Sequence, residues 1–304
     1  MSPWFGPFIA FCSSLTWAVG STQYAKISVR HSAYALNFSR ALVAFPLFLI
    51  ALLYVSGSPV AAFHEVNAVN ARQMGYLVLS IFSSYVVGDV LFFYGTRYLG
   101  IPGTLAIASA YPLWNALVAV VFEGEKLQLL QILGLLITIF GIIVVILNGP
   151  SRGQLSVPAK SKSGVGVGVL LAFGTSVFWA INSYALAHVG REISATVGNL
   201  IRMGIAIGFT FVMGRIFTPK STIGLPLKDL KSTSWVFFVE AFGGSFFFLY
   251  GLAHSSLSFG AVLTSLAPVI SVPIAWVLRL EKFSFFRTLG VILCVLGLCL
   301  LVGA

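Results

Sequence analysis

The sequence predicts an all-α integral membrane protein of ten transmembrane helices, arranged as two inverted five-helix repeats. Three observations carry that expectation. Of 304 residues, 58% are hydrophobic and only 9% are charged, with a mean hydropathy of +0.99. Soluble domains carry about 25% charged residues, so the solvent of this chain is expected to be lipid. Secondly, apolar runs of the length that crosses a bilayer, about 20 residues, recur along the chain. They lie near 4–25, 32–55, 74–97, 101–122, 128–148, 164–187, 193–216, 233–255, 258–278 and 283–303. The runs are continuous rather than alternating, which argues against a closed barrel. Thirdly, the stretch from Tyr94 to Lys126 returns as Tyr250 to Lys282, the same length at an offset of 156. An internal repeat of this kind constrains the architecture before any fold is proposed.

Taken in order, each run finds its counterpart. Ser14, Trp17, Ala18 and Ser21 in the first run fall on Ser176, Trp179, Ala180 and Ser183 in the sixth, at an offset of 162. Asn37 and Arg40 in the second fall on Asn199 and Arg202 in the seventh. The offset then drops to 156, which places six extra residues in the connection after the second run. The third run holds Asp89 and the eighth holds Glu240, the carboxylates well inside the spans. They are not mates: Asp89 falls on Ser245, and Glu240 falls on Ser84. Pro112 and Pro268 occupy the fourth and ninth runs, Gly134 and Gly141 the fifth, Gly290 and Gly297 the tenth. The halves are thus 1–149 and 164–304, joined by a polar, basic linker at 150–163. Five spans per half is an odd number, so the second half must enter the membrane inverted.

The net charge of +10 does not point to nucleic acid, because the basic residues lie mostly between the apolar runs. Thirteen Lys and Arg fall in the odd-numbered connections: Lys26, Arg30, Arg97, Arg152, Lys160, Lys162, Arg215, Lys220, Lys228, Lys231, Arg279, Lys282 and Arg287. Three, Arg72, Lys126 and Arg191, fall in the even ones. That asymmetry places the odd connections in the cytoplasm and both termini outside. Cys12, Cys294 and Cys299 lie within apolar runs without metal-ligand spacing, and are expected to be small core residues. No basic segment precedes the first run at Trp4, so no removable signal peptide is expected.

Several of these residues together resemble the EamA-type members of the drug/metabolite transporter superfamily. They are Trp17 and Trp179 (with the run Trp179 to Asn182), Arg40 and Arg202, Tyr94-Gly95 and Tyr250-Gly251, and Pro112 and Pro268. The closing Gly-Glu-Lys at 124–126 and Leu-Glu-Lys at 280–282 complete the set. The resemblance covers both halves. It implies a ten-helix carrier for a small metabolite, often an exporter, with cytoplasmic termini and a basic connection after the second span. Here that connection, Ser56 to Gln73, holds only Arg72, so resemblance and loop charge imply opposite orientations. The small four-helix multidrug exporters depend on a first-span glutamate. The first and sixth runs here have no acidic residue, which leaves that proton mechanism without support.

Candidate substrate-binding residues follow from faces and breaks. Trp17 and Trp179 each sit between serines at i, i+3, i+7 spacing, on one helix side. Small residues there suit close helix packing, whereas a large indole between them suits a cavity wall that stacks on a solute. Asn182, close to Trp179, adds a donor and an acceptor. A proline inside a helix frees the carbonyl four residues back, here of Ala108 and Thr264. In lipid, a broken helix is tolerated mainly where it lines a cavity or where a local hydroxyl repairs it. The faces Ala108, Tyr111, Asn115 and Thr264, Ala267, Ser271 are therefore candidates. Arg40 and Arg202 either hold structure or bind an anion. Glu240 is expected to pair with Arg202, at similar depth in the neighbouring span, and not to carry protons.

Other classes lack their residues. Among the intramembrane positions Asp89 has no second aspartate to form an aspartyl protease dyad, and Gly243-Gly244-Ser245-Phe246 lacks the last glycine of a serine protease motif. No phosphate-binding loop ends in Gly-Lys-Ser/Thr, and no connection is long enough for a signalling domain. A non-enzymatic secondary carrier of an amino acid or another amphipathic compound is expected, with an anionic or phosphorylated metabolite as the alternative. Its expected partners are a small-molecule substrate and membrane lipid. No nucleic acid, cofactor, metal or catalytic residue is expected, and the sequence leaves the oligomeric state open.

Overall fold

A computed structural model describes residues 4–122, 128–148, 163–255, 263–279 and 282–302. Most of the linker at 150–163, Gly124 to Lys126 and Leu280-Glu281 lie outside the described residues. The described residues are helical, with no strand among them. The helices are α1 (Phe5–Ser28), α2 (Ala33–Ser56), α3 (Pro59–Asn67), α4 (Ala71–Ile81), α5 (Asp89–Ala108), α6 (Tyr111–Phe122) and α7 (Leu129–Leu147). After the linker come α8 (Ser163–Val189), α9 (Ala195–Phe217), α10 (Leu227–Val236), α11 (Ser245–Ala253), α12 (Ala267–Val277) and α13 (Phe285–Val302). Six helical stretches among the described residues are long and apolar enough to cross a membrane, and α12 and α13 are shorter apolar helices. Large apolar side chains such as Leu136, Phe140, Ile143 and Leu296 are exposed, as a lipid-facing surface requires. The protein is a multi-pass integral membrane protein.

Local chemistry starts and stops these helices at repeat-related places. Ser32 and Ser194, mates at an offset of 162, each cap a helix by accepting from the backbone N–H three residues on. Gly57 ends α2 in the left-handed conformation, which glycine adopts without steric cost. The six extra residues of the first half fall within the segment that forms α3, opened by Ser58 as cap and Pro59 in the first turn.

Two features were not foreseen. The first is a π-helical segment in each half. Phe82–Gly88 links α4 to α5, and Phe237–Gly244 links α10 to α11. At an offset of 156 the two segments end on mates, Gly88 and Gly244. The wide turn rotates everything after it relative to a plain α-helix, and such segments are common at functional sites. The second concerns the prolines. Neither lies in the middle of a helix. The fourth run breaks at Ser109-Ala110 and the ninth at Ser265-Leu266, so Pro112 and Pro268 stand in the first turn of α6 and α12. There a missing N–H costs little. The breaks fall within the turn between Ala108 and Pro112 and between Thr264 and Pro268, where the freed carbonyls were expected, but as helix starts rather than kinks. A further break falls at Gly100, whose φ of 71° separates the third run from the fourth within α5.

Packing interleaves the halves. α7 runs along α13, α2 along α9, α5 along α8, and α1 along α11 and α12. Exchanging the two halves leaves this pattern nearly unchanged. The α7–α13 seam is built on Gly141, Gly290 and Gly297, where added Cβ atoms would meet the opposing backbone at 2.5–3.0 Å. Cys294 is buried in that seam, whereas Cys12 is half-buried and Cys299 is exposed, so the small-core reading holds for one cysteine of three. Polar latches tie helix ends across the halves. Beyond α1, His31 meets Asp229 of α10 at 2.8 Å, with Arg30 at 3.5 Å. Beyond α8, Glu192 meets Arg72 of α4 at 2.6 Å and Gln73 at 2.9 Å.

Candidate functional site

The π-helical segments deliver charge to the centre. Asp89 follows the first segment directly and Glu240 lies within the second. Both reach Arg40, which is 1% exposed. The Arg40 guanidinium donates to Asp89 Oδ2 at 2.7 Å, to Glu240 Oε2 at 3.0 Å and to Asn37 Oδ1 at 2.8 Å. The rings of Tyr24 and Tyr85 lie 4.4 Å from it, a cation–π geometry. Tyr24 Oη donates to Glu240 Oε2 at 2.6 Å, and Trp179 Nε1 donates to Asp89 Oδ1 at 3.1 Å. Gly20 makes room for Glu240: a Cβ there would stand 2.5 Å from Glu240 Cγ. Gly88 does the same for Trp179, whose ring a Cβ would meet at 2.8 Å.

The expected Arg202–Glu240 pair is therefore corrected: Glu240 pairs with Arg40. The second π-helical segment packs against α2 of the other half, as the first packs against α9. Depth within neighbouring spans is a poor guide when the halves interleave. Arg202 donates instead to Asn199 Oδ1 at 2.7 Å and to Asn182 Oδ1 at 3.4 Å, and no carboxylate lies within ion-pair distance of it among the described residues.

These groups surround a cavity of about 110 Å³. Trp17, Tyr111, Trp179, Asn182 and Thr264 stand on its wall, as do the four intramembrane charges Arg40, Asp89, Arg202 and Glu240. The Trp17 and Trp179 rings meet edge to face with centroids 5.4 Å apart. Tyr111 and Thr264, at the two helix breaks, share a hydrogen bond of 2.6 Å between their hydroxyls. Two candidates are not brought there. Asn115 lies one helical turn beyond Tyr111, outside the lining, and Ser271 turns its hydroxyl back to Pro268 O at 2.8 Å. The serines flanking the tryptophans also serve packing: Ser14, Ser21 and Ser176 bond carbonyls of their own helices. Sequence reasoning missed Ser13, Ser84, Tyr85, Ser109, Ser245 and Phe248 on the wall. The Gly88 and Gly244 mates were the one visible sign of the π-helical segments that bring most of them in.

No group of three or more His, Cys, Asp or Glu among the described residues could hold a metal ion. The arrangement offers fixed charge, aromatic faces and hydroxyls to a small solute.

Comparison with known proteins agrees with this layout. A solved crystal structure superposes with a TM-score of 0.63 over 97% of this chain and 95% of its own, at 16% identity, which shows a shared fold. The chain is 26% identical over 221 residues to an uncharacterized transporter, YvbV, of Bacillus subtilis, covering 70% of this chain and 68% of that one. It is 22% identical over 300 residues to an uncharacterized transporter of Archaeoglobus fulgidus, covering 96% of each. The model of the EamA-like transporter family matches twice, at residues 4–147 and 166–303, one match in each half; the chain belongs to that family.

Proposed function

We propose that this protein is a secondary carrier that moves a small organic solute, such as an amino acid or another amphipathic metabolite, by alternating access. The carrying observation is the central cavity. It is walled by both halves and flanked by a helix break from each, at Ser109-Ala110 and Ser265-Leu266. Discontinuous helices at a repeat interface are a recurrent transporter site, and inverted halves can exchange conformations around it. On this reading the chain has ten spans in two inverted five-helix repeats. Trp17 and Trp179 face the solute and the Arg40 cluster is structural.

The test is counterflow in proteoliposomes across a metabolite panel. Trp17→Ala and Trp179→Ala are each expected to lower transport at least tenfold with monodisperse protein retained. Normal transport by both variants would return the indoles to packing. Stability is measured alongside, because losing a buried Trp costs about 3–5 kcal/mol in soluble cores.

Orientation is part of the proposal: both termini lie outside the cytoplasm. Three of the thirteen basic residues in the odd connections have structural tasks, since Arg97 bonds Ser28 O, Arg287 bonds Leu99 O and Arg30 pairs with Asp229, and Arg72 of the even three pairs with Glu192. Ten against two still favours that orientation. A reporter fused after Ala304 is expected to be inactive on the cytoplasmic side. Cytoplasmic activity would reverse the orientation and leave the carrier reading intact.

A further inference from the structure

Arg40 and Arg202 are repeat mates with unequal surroundings. Arg40 is held by two carboxylates, Asp89 and Glu240. At an offset of 156 their positions fall on Ser245 and Ser84 respectively, and both serines line the cavity with Arg202. A second exchange accompanies the first. Gly20, which makes room for Glu240, falls on Asn182, whose neutral amide oxygen is 3.4 Å from the Arg202 guanidinium. Where Arg40 has a carboxylate over a glycine, Arg202 has a serine over an amide. Arg202 is 3% exposed, and among the described residues no carboxylate lies in ion-pair contact with it. A buried guanidinium without a contact ion pair is costly in a membrane protein, and such groups mark ligand or ion paths.

We propose that Arg202 docks the carboxylate of the solute, beside Ser245 and Asn182, so that the bound molecule gives Arg202 the ion-pair partner that Arg40 already has. This rests on the carrier reading and names the substrate class: a small organic compound with one carboxylate and an apolar body. The apolar body faces Trp17, Trp179 and Phe248 on the same wall. Arg40 and Arg202 against Asp89 and Glu240 already sum to zero, so a single negative charge is the smallest that gives Arg202 an ion-pair partner while disturbing that neutrality least. A phosphomonoester would bring about −1.5 to −2 next to two existing carboxylates. Arginine also suits a carboxylate geometrically, because its planar fork offers two parallel N–H donors.

The experiment measures ligand-induced thermal stabilisation of the purified protein in detergent. The probes are acetate, 3-phenylpropionate, indole-3-acetate, leucine and phenylalanine, each beside its own amide, with phenyl phosphate as the dianion. At least one carboxylate is expected to bind tenfold or more tightly than its amide, and phenyl phosphate more weakly than that carboxylate. Arg202→Gln should erase the preference and Arg202→Lys should keep part of it. Arg202→Gln breaks no contact ion pair among the described residues, so folded protein is expected. Should it fail to fold, the wild-type and Arg202→Lys comparisons still decide. Equal binding of acids and amides across the panel, no binding by any acid, a preference for the dianion, or a preference that survives in Arg202→Gln would each overturn the proposal. The two readings also fail separately. A carboxylate preference without counterflow of any solute sinks the carrier reading and keeps the site, and counterflow indifferent to the carboxylate does the reverse.

Discussion

Arg40→Gln should leave little folded protein. The substitution strands Asp89 and Glu240, both at most 6% exposed, as like charges without their contact cation in a buried site. Breaking a buried ion pair from one side costs about 3–5 kcal/mol, a large share of a typical stability. Two carboxylates are stranded here rather than one, so the loss should lie at the upper end. The monodisperse fraction on size exclusion and the melting temperature in detergent report it. The triple variant Arg40→Gln, Asp89→Asn, Glu240→Gln removes all three charges and should recover most of the loss, because neutral amides can rebuild the hydrogen bonds. A stable Arg40→Gln would mean that the cluster does not hold the halves together. The repeat mate provides the contrast, since Arg202→Gln is expected to fold.

Gly141→Ala should be a strongly damaging single-methyl change. An added Cβ would stand 2.6 Å from Cys294 N and 2.7 Å from Gly290 O. Both are backbone atoms, which cannot rotate away, so α7 and α13 must separate along their seam. Overpacking costs about 1–3 kcal/mol where side chains can give, and more is expected where they cannot. In lipid, close helix approach depends on small residues, because the apolar surface that separation uncovers is solvated by acyl chains. Gly297→Ala meets the Gly134 carbonyl and Thr138 in the same seam and should behave alike. Gly208→Ala in α9 is the control, as its Cβ would have nothing within 4 Å and its melting temperature should not fall. Equal stability of all three variants would show that the seam yields more easily than its backbone spacing implies.

The sequence carries most of the plan and little of the centre. Repeat offsets of 162 and 156 align helix with helix: Ser32 with Ser194 as caps, Gly141 with Gly297 in the seam, Trp17 with Trp179 at the cavity. Those signals are local, because a cap, a small residue at a contact or a polar group in an apolar run each has a cause within its own helix. The π-helical segments leave almost no such trace. They add a residue to a turn within an apolar stretch, and so change which way Asp89 and Glu240 point without changing composition. The pairing of Glu240 was misplaced for a related reason. Its partner Arg40 lies 200 residues away in the other half, and depth along neighbouring spans carries no information about interleaved halves. The prolines show a third limit. A proline that opens a helix and one that kinks it look alike in sequence, and the short breaks at Ser109-Ala110 and Ser265-Leu266 decide between them.

The two polar latches answer to solution conditions that the buried cluster ignores. Arg72 is 61% exposed and Arg30 64%, against 1% for Arg40. At physiological ionic strength the screening length is about 8 Å, which weakens exposed pairs and scarcely reaches enclosed ones. Hydrogen bonds from Gln73 and Arg72 hold the Glu192 carboxyl below its usual pKa. Its charge is therefore kept through mild acidity and lost only as the pH falls below the ordinary carboxylate range. On the proposed inverted arrangement the latches would lie on opposite faces of the membrane, one bathed by each compartment. Salt on one side would then act on one latch alone, so the two aqueous compartments would set the lifetimes of the two proposed end states independently.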